Sequence, residues 1–197
     1  MSRRSFQAFQ ACVVASALAG LVVYLRAETP VENSVETQFQ LDLHVPDAAL
    51  AAMLPAGFTL NVAAQGPAKD ANLRAVFIDR VTINGPDGRP MGKGSNRLVW
   101  LAAPVKEPGG TNVQLIIGGL TEDPADAPGA FGVYLPATIH TMMRSTTASG
   151  TGPIMDSQDW VLGAATGERL EMHIKYARGV AARRAVSWAH SLNAMRR

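Results

Sequence analysis

Residues 37–44 alternate, with Phe39, Leu41 and Leu43 on one side and Gln38, Gln40, Asp42 and His44 on the other. That two-residue period predicts a half-buried strand. Pro46-Asp47 then opens a short helix over 46–54, since proline suits a first turn whose N–H would go unused. Pro55-Ala56-Gly57 ends it. Residues 58–63 read as a strand and 73–84 as a longer one, rich in the β-branched residues that fit a pleated backbone. Gly85-Pro86-Asp87-Gly88-Arg89-Pro90 is a turn. Apolar strands at 97–103 and 113–117 flank the loop around Pro108-Gly109-Gly110, and 121–129 is an acidic, proline-containing loop. Segments 130–143, 158–164 and 169–176 complete the strands. In the last of them Leu170, Met172, Ile174 and Tyr176 alternate with Glu171, His173 and Lys175, after the hairpin-turn composition of Ala164-Ala165-Thr166-Gly167.

From Val180 the period changes. Ala181, Ala185, Trp188, Leu192 and Met195 recur at steps of four and three, which predicts a basic amphipathic helix over 180–197. Its apolar stripe suits packing on the open side of a sheet, and its arginines suit an anionic membrane surface. Many short strands with two helices, and no βα alternation, give an α+β domain of mostly antiparallel strands. A closed or strongly curved sheet, or a barrel, is expected, with a short helix near 46–54 and a C-terminal helix.

The first thirty residues carry an address. Ser2-Arg3-Arg4-Ser5-Phe6 precedes the apolar run 11–25, with a small-residue cut site after Ala27. Ser-Arg-Arg-x-Phe resembles the twin-arginine export motif. Between Ala8 and Leu25 the strongly polar residue is Gln10, and a helix of that length reaches about 27 Å, near the lower limit for a bilayer span. Residues 1–27 are therefore expected to be a cleaved signal or a retained anchor, with 28–36 a linker. The domain would be periplasmic, or attached to the outer face of the inner membrane through residues 8–25. Removing Arg3, Arg4 and Arg26 leaves fifteen basic against sixteen acidic residues, a net of −1, which takes away the electrostatic case for nucleic acid. The one cysteine, Cys12, lies in the leader, so the rest of the chain has no disulfide and rests on its core.

The run Val45-Pro46-Asp47, Leu50, Met53-Leu54-Pro55-Ala56-Gly57-Phe58 resembles the start of acetoacetate decarboxylase-like superfamily domains. Residues 72–79 followed by a long turn, and Gly132-Val133-Tyr134-Leu135-Pro136, fit the same layout, so the resemblance covers 37–178. It implies a nearly closed antiparallel β-structure around a small-molecule cavity. It also implies a Gly-aromatic-Pro-Lys segment whose lysine forms a Schiff base, its amine kept neutral by an apolar or cationic setting. Here Thr151-Gly152-Pro153-Ile154 puts isoleucine at that place, and no lysine occurs between Lys106 and Lys175. The resemblance therefore implies a binding cavity without its nucleophile.

Tyr134, His140, Arg144 and Trp160 are the expected ligand-binding residues, for a small apolar or carboxylate-bearing molecule. An alternative is an enzyme that uses Lys175 and His173, which share a strand face with Glu171; a row of this kind also suits solvent. A third reading is an envelope interaction protein, which requires a large exposed apolar patch. No cofactor or metal is expected. The histidines at 44, 140, 173 and 190 form no close pair, and Asp123 and Asp126 lack the ligand density of a calcium loop. The glycine-rich run 88–94 has the wrong spacing for a phosphate loop, and neither Ser95 nor Ser149 sits in a Gly-x-Ser-x-Gly elbow.

Overall fold

Alternating and β-branched segments pair here into one sheet that curls on itself. The structure, a computed structural model, describes residues 32–127, 133–148 and 150–182. The strands are β1 (Asn33–Leu43), β2 (Thr59–Leu60), β3 (Leu73–Asn84), β4 (Asn96–Lys106), β5 (Asn112–Thr121), β6 (Tyr134–Thr147), β7 (Met155–Ala164) and β8 (Arg169–Ala177), with one short helix, α1 (Asp47–Ala51). The order across the sheet is β1-β3-β4-β5-β6-β7-β8, and β2 pairs with β4 at Val105 and Lys106. The whole is a curled half-barrel, as the strand count and turn spacing led one to expect.

The curl has a local cause. Register shifts at Val35/Glu36, Leu101/Ala102 and Ala137/Ile139 mark β-bulges, and a bulge bends its strand and increases the twist. Inside the curl, Ala75, Phe77, Val99 and Leu120 of one half meet Trp160, Leu162 and Met172 of the other. Phe77 and Trp160 lie edge-on, their ring centroids 5.7 Å apart at 63°. Phe39 on β1 reaches Tyr176 on β8 at 5.6 Å, so the two free edges of the sheet approach each other through side chains.

One pair differs from the antiparallel expectation. β5 and β6 run parallel over Gly119↔Tyr134, Leu120↔Leu135 and Thr121↔Pro136. A parallel pair needs a crossover, and the acidic loop supplies it, turning through a 3₁₀ segment at Pro124–Asp126 that Asp123 caps by accepting from Ala125 N–H. The crossover brings Ala127 and Val133 onto the outer face, where they cover Val76, Ile78 and Leu98. β3 and β4 are thereby buried on both faces, which explains their near-continuous apolar sequence. α1 buries Leu50 against Ala103, Val105 and Leu115 at one end of the sheet.

Several boundaries move. β1 begins at Asn33 and takes in residues 33–36 of the expected linker, pairing Asn33 with Asn84. The short helix is regular only over Asp47–Ala51, and the expected strand 58–63 shortens to Thr59–Leu60. Residues 180–182 are not helical. The expected leader over 1–27, linker residues 28–31, Gly132 and helix positions 183–197 lie outside the described residues. Among the described residues no helix is long and apolar enough to cross a membrane.

Candidate functional site

On β7 the even positions Asp156, Gln158, Trp160 and Leu162 are all buried, because this face closes over β1 and β3. Trp160 and Leu162 belong to the apolar core. Asp156 and Gln158 continue the same face toward the end of the strand, where buried polar atoms must find partners. Trp160 Nε1 donates to Gln158 Oε1 at 3.1 Å, and Gln158 Nε2 donates to Tyr176 Oη at 2.8 Å. An indole N–H can only donate, so the amide orientation is fixed and the tyrosine oxygen is cast as an acceptor. Its own hydroxyl proton remains to be given elsewhere.

Next along the face, Asp156 accepts from Arg178 Nε at 2.8 Å, from Arg178 Nη2 at 2.7 Å and from Thr146 Oγ1 at 2.7 Å. The forked guanidinium and the threonine hydroxyl hold the Asp156 carboxyl at about 2. Asp156 and Asp159 near Trp160 read in the sequence as a carboxylate pair or as a strand entry; the partner found is Arg178, 22 positions from Asp156, a separation no local pattern encodes.

Arg144 stands beside this group. It is the cross-strand partner of Gln158, as Met142 is of Trp160 and Thr146 of Asp156, so Arg144 shares the inner face. Its side chain is exposed and has no hydrogen-bond or salt-bridge partner among the described residues, although Asp156 feels its charge. Asp156 neutralises Arg178, and Arg144 leaves one positive charge over. The arrangement thus has a surplus of donors and of charge at the rim of the curl.

The other expected residues are dispersed. His140 lies on the same face of β6, four residues before Arg144 and so about 13 Å away along the strand. It is committed elsewhere, with Nδ1 2.6 Å from Glu122 Oε1. Glu122 also accepts from Arg97 Nη1 at 3.2 Å, and Arg97 Nε donates to Asp79 Oδ1 at 3.2 Å. A cleft of about 170 Å³ adjoins this ion-pair set, lined by Asp79, Arg80, Asn96, Arg97 and Glu122 among others. Tyr134 is on the opposite side of the sheet, buried with Val76, Ile78 and Leu98, and burial pushes its phenol well above its ordinary range. The structure therefore brings Arg144 and Trp160 together, adds Gln158, Tyr176, Asp156 and Arg178 to them, and separates Tyr134 and His140.

His173 and Lys175 occupy the outer, exposed face of β8 with Glu171. His173 Nδ1 is 2.8 Å from Asp159 Oδ1, and that hydrogen bond raises the imidazole above its usual range. This charged row also protects an edge strand from pairing with other chains. Among the described residues no group of three His, Cys, Asp or Glu side chains is placed to hold a metal ion.

The Asp156 cluster makes a testable mark on stability. A carboxyl depressed when folded stabilises the fold above its unfolded value, near 3.8, and that contribution is lost as pH falls through about 2. The urea midpoint of the natural chain is thus expected to exceed that of Asp156→Asn at neutral pH. The gap should close mainly between about pH 4 and pH 2. A gap that stays constant over that window would show that Arg178 and Thr146 do not hold the carboxylate.

No family model matches the chain, and neither the curated proteins nor the solved structures contain a match.

Proposed function

We propose that the chain is an exported small-molecule-binding domain of acetoacetate decarboxylase-like fold that lacks the Schiff-base lysine. Export is supported by the arginine pair and apolar run at the N-terminus. The fold reading is supported by the curled sheet and by the short helix over the resembling segment. Ile154 stands just before β7 where the family's lysine would be, so the domain holds its ligand without a covalent bond to that position.

The observation that carries the reading is Arg144, a guanidinium on the inner face without a hydrogen-bond or ion-pair partner among the described residues, next to the chain of buried Trp160 and Gln158 and half-buried Tyr176. Phe77, Trp160 and Leu162 fill the interior of the curl where the resemblance implied a cavity, which supports a binding place at the rim instead. The test is native mass spectrometry of the protein purified from its own host envelope, compared with its denatured mass. A retained small molecule that is absent from the Arg144→Ala protein is the expected result. An unliganded mass for both proteins, together with no thermal shift from envelope extract, overturns the reading.

A second reading has its own observation. Ile139 and Met143 lie on the outer face of β6 at 50% and 70% exposure, two apolar side chains that support an interaction surface there. That reading expects a stable assembly in light scattering that Ile139→Ser with Met143→Ser dissolves.

A further inference from the structure

We propose that the cleft beside Asp79 and Glu122 is a second binding site, and that it takes a small molecule bearing a primary ammonium group. The site is separate from the Arg144 rim and does not depend on it. His140, which ties β6 to this ion-pair set, lies four positions before Arg144.

The strands place the charges. Asp79 follows Phe77 by two on β3, Arg97 precedes Val99 by two on β4, and Glu122 follows Leu120 by two. All three therefore continue the inner face past the apolar core. Asp79 and Arg97 are direct cross-strand partners, and Glu122 N–H donates to the Arg97 carbonyl at 2.9 Å. Arg97 is one cation between two carboxylates, with Nε 3.2 Å from Asp79 Oδ1 and Nη1 3.2 Å from Glu122 Oε1. Arg80 also borders the cleft, but Glu32 and Glu36 hold its guanidinium. His140 Nδ1, 2.6 Å from Glu122 Oε1, adds no charge as a neutral imidazole. One negative charge is left over, which calls for a cation.

The free acceptor is Asp79 Oδ2. Asp79 is 7% exposed and Oδ1 is taken by Arg97, while Oδ2 meets no donor among the described residues. No fully buried polar side-chain atom among those residues lacks a partner, so Oδ2 opens onto the cleft that Asp79 lines. A carboxylate so buried gains from a donor that replaces its water. Only one oxygen is on offer. A guanidinium fork suits two coplanar oxygens, whereas an ammonium is a compact charge that one oxygen can meet. Ser95, exposed at the same opening, offers its hydroxyl as a further acceptor.

Val81 supplies an apolar lip. The register shift between β1 and β3 leaves it between Arg80 and Thr82 without a cross-strand partner, and it lines the cleft at 56% exposure. A bulge re-aims a side chain in this way. A short alkyl chain behind the ammonium would cover it.

The experiment titrates the full-length chain at about pH 8, where imidazoles are neutral and alkylamines charged, at constant ionic strength. The probes are n-butylamine, n-butanol and butyltrimethylammonium. NMR follows the Asp79 carboxyl carbon and the Arg97 backbone N–H, which donates to Glu122 Oε2. Butylamine is expected to shift both resonances saturably. Butanol lacks the charge and butyltrimethylammonium lacks the N–H bonds, so each should bind at least about tenfold more weakly. Asp79→Asn keeps the shape and removes the charge, and should weaken butylamine by at least about tenfold, read at Arg97. Val81→Lys changes an exposed position, sets a second cation at the mouth and should have the same effect.

Butyltrimethylammonium binding as well as butylamine would overturn the ammonium assignment by showing a general cation patch. Butanol binding as well would overturn it by showing that charge plays no part. Butylamine binding unchanged in Asp79→Asn and in Val81→Lys, or in Val81→Lys alone should Asp79→Asn not fold, would remove the cleft from the assignment. A shift of neither resonance with any probe would overturn the site itself.

Discussion

Trp160→Ala lowers the unfolding free energy by about 3–5 kcal/mol, the range for deleting a large aromatic from a core. It should appear as a fall in the urea midpoint with an unchanged slope. Trp160 is 1% exposed and stands where the two halves of the curled sheet meet, edge-on to Phe77 and beside Met142 and Met172. Its removal opens a cavity between strands that the bulged backbone holds apart, so collapse recovers little of the lost contact. It also strips Gln158 Oε1 of its donor while the amide stays buried, which adds the cost of an unsatisfied polar atom. Trp160→Phe separates the two effects. It keeps most of the ring and loses the indole N–H, so a smaller loss of about 1–3 kcal/mol is expected. If Trp160→Ala cost under about 1 kcal/mol, Trp160 would not be the joint between the halves.

The same residue shows how much the sequence made legible. Alternation over β8 identified Leu170, Met172, Ile174 and Tyr176 as one face, and that face is the one turned to the core. The run 73–84 coincides with β3, since its ends are set by an asparagine before it and a glycine-proline turn after it. A period names the two faces of a strand, but it does not say which strands lie opposite. The period therefore does not show that Asp156 and Gln158 meet partners: the pairing of β7 with β6 and β8 brings Thr146, Tyr176 and Arg178 onto them. The parallel pairing of β5 and β6 was hidden for a related reason: the crossover that allows it has the composition of any acidic loop. Of the expected binding residues, Arg144 and Trp160 share a face through the pairing of β6 with β7. Tyr134 falls on the other face because the Ala137/Ile139 bulge lies between it and them, and His140 finds Glu122 at the end of β5.

Gly119→Ala is expected to be the most costly small change in the sheet, and its neighbour supplies the control. A Cβ on Gly119 would lie 2.3 Å from the Val99 carbonyl oxygen and 3.0 Å from the Tyr134 ring. The first contact is with backbone of the adjacent strand, so rotation of a side chain gives no relief and the ladder itself must move. Overpacking of this kind costs about 1–3 kcal/mol and occasionally more, and a clash with backbone belongs at the upper end. Gly118 has nothing within 4 Å of the same added atom and no left-handed backbone. Gly118→Ala should be neutral, or stabilising by about 0.4–1 kcal/mol, through a stiffer unfolded chain. Two identical substitutions, one residue apart, are thus expected to move the thermal midpoint by different amounts and in different directions. The reason lies in topology. Gly119 pairs with Tyr134 in the three-residue parallel contact that joins β1–β5 to β6–β8, and β5 is bulged beside it, with Ile117 the extra residue opposite Leu101/Ala102. Forcing the strands apart there should also speed amide exchange at the start of β6 before it reaches β3, because that short contact has few bonds to lose. Equal midpoints for the two variants would mean that β5 has room to move and that the junction is not closed by the bare glycine.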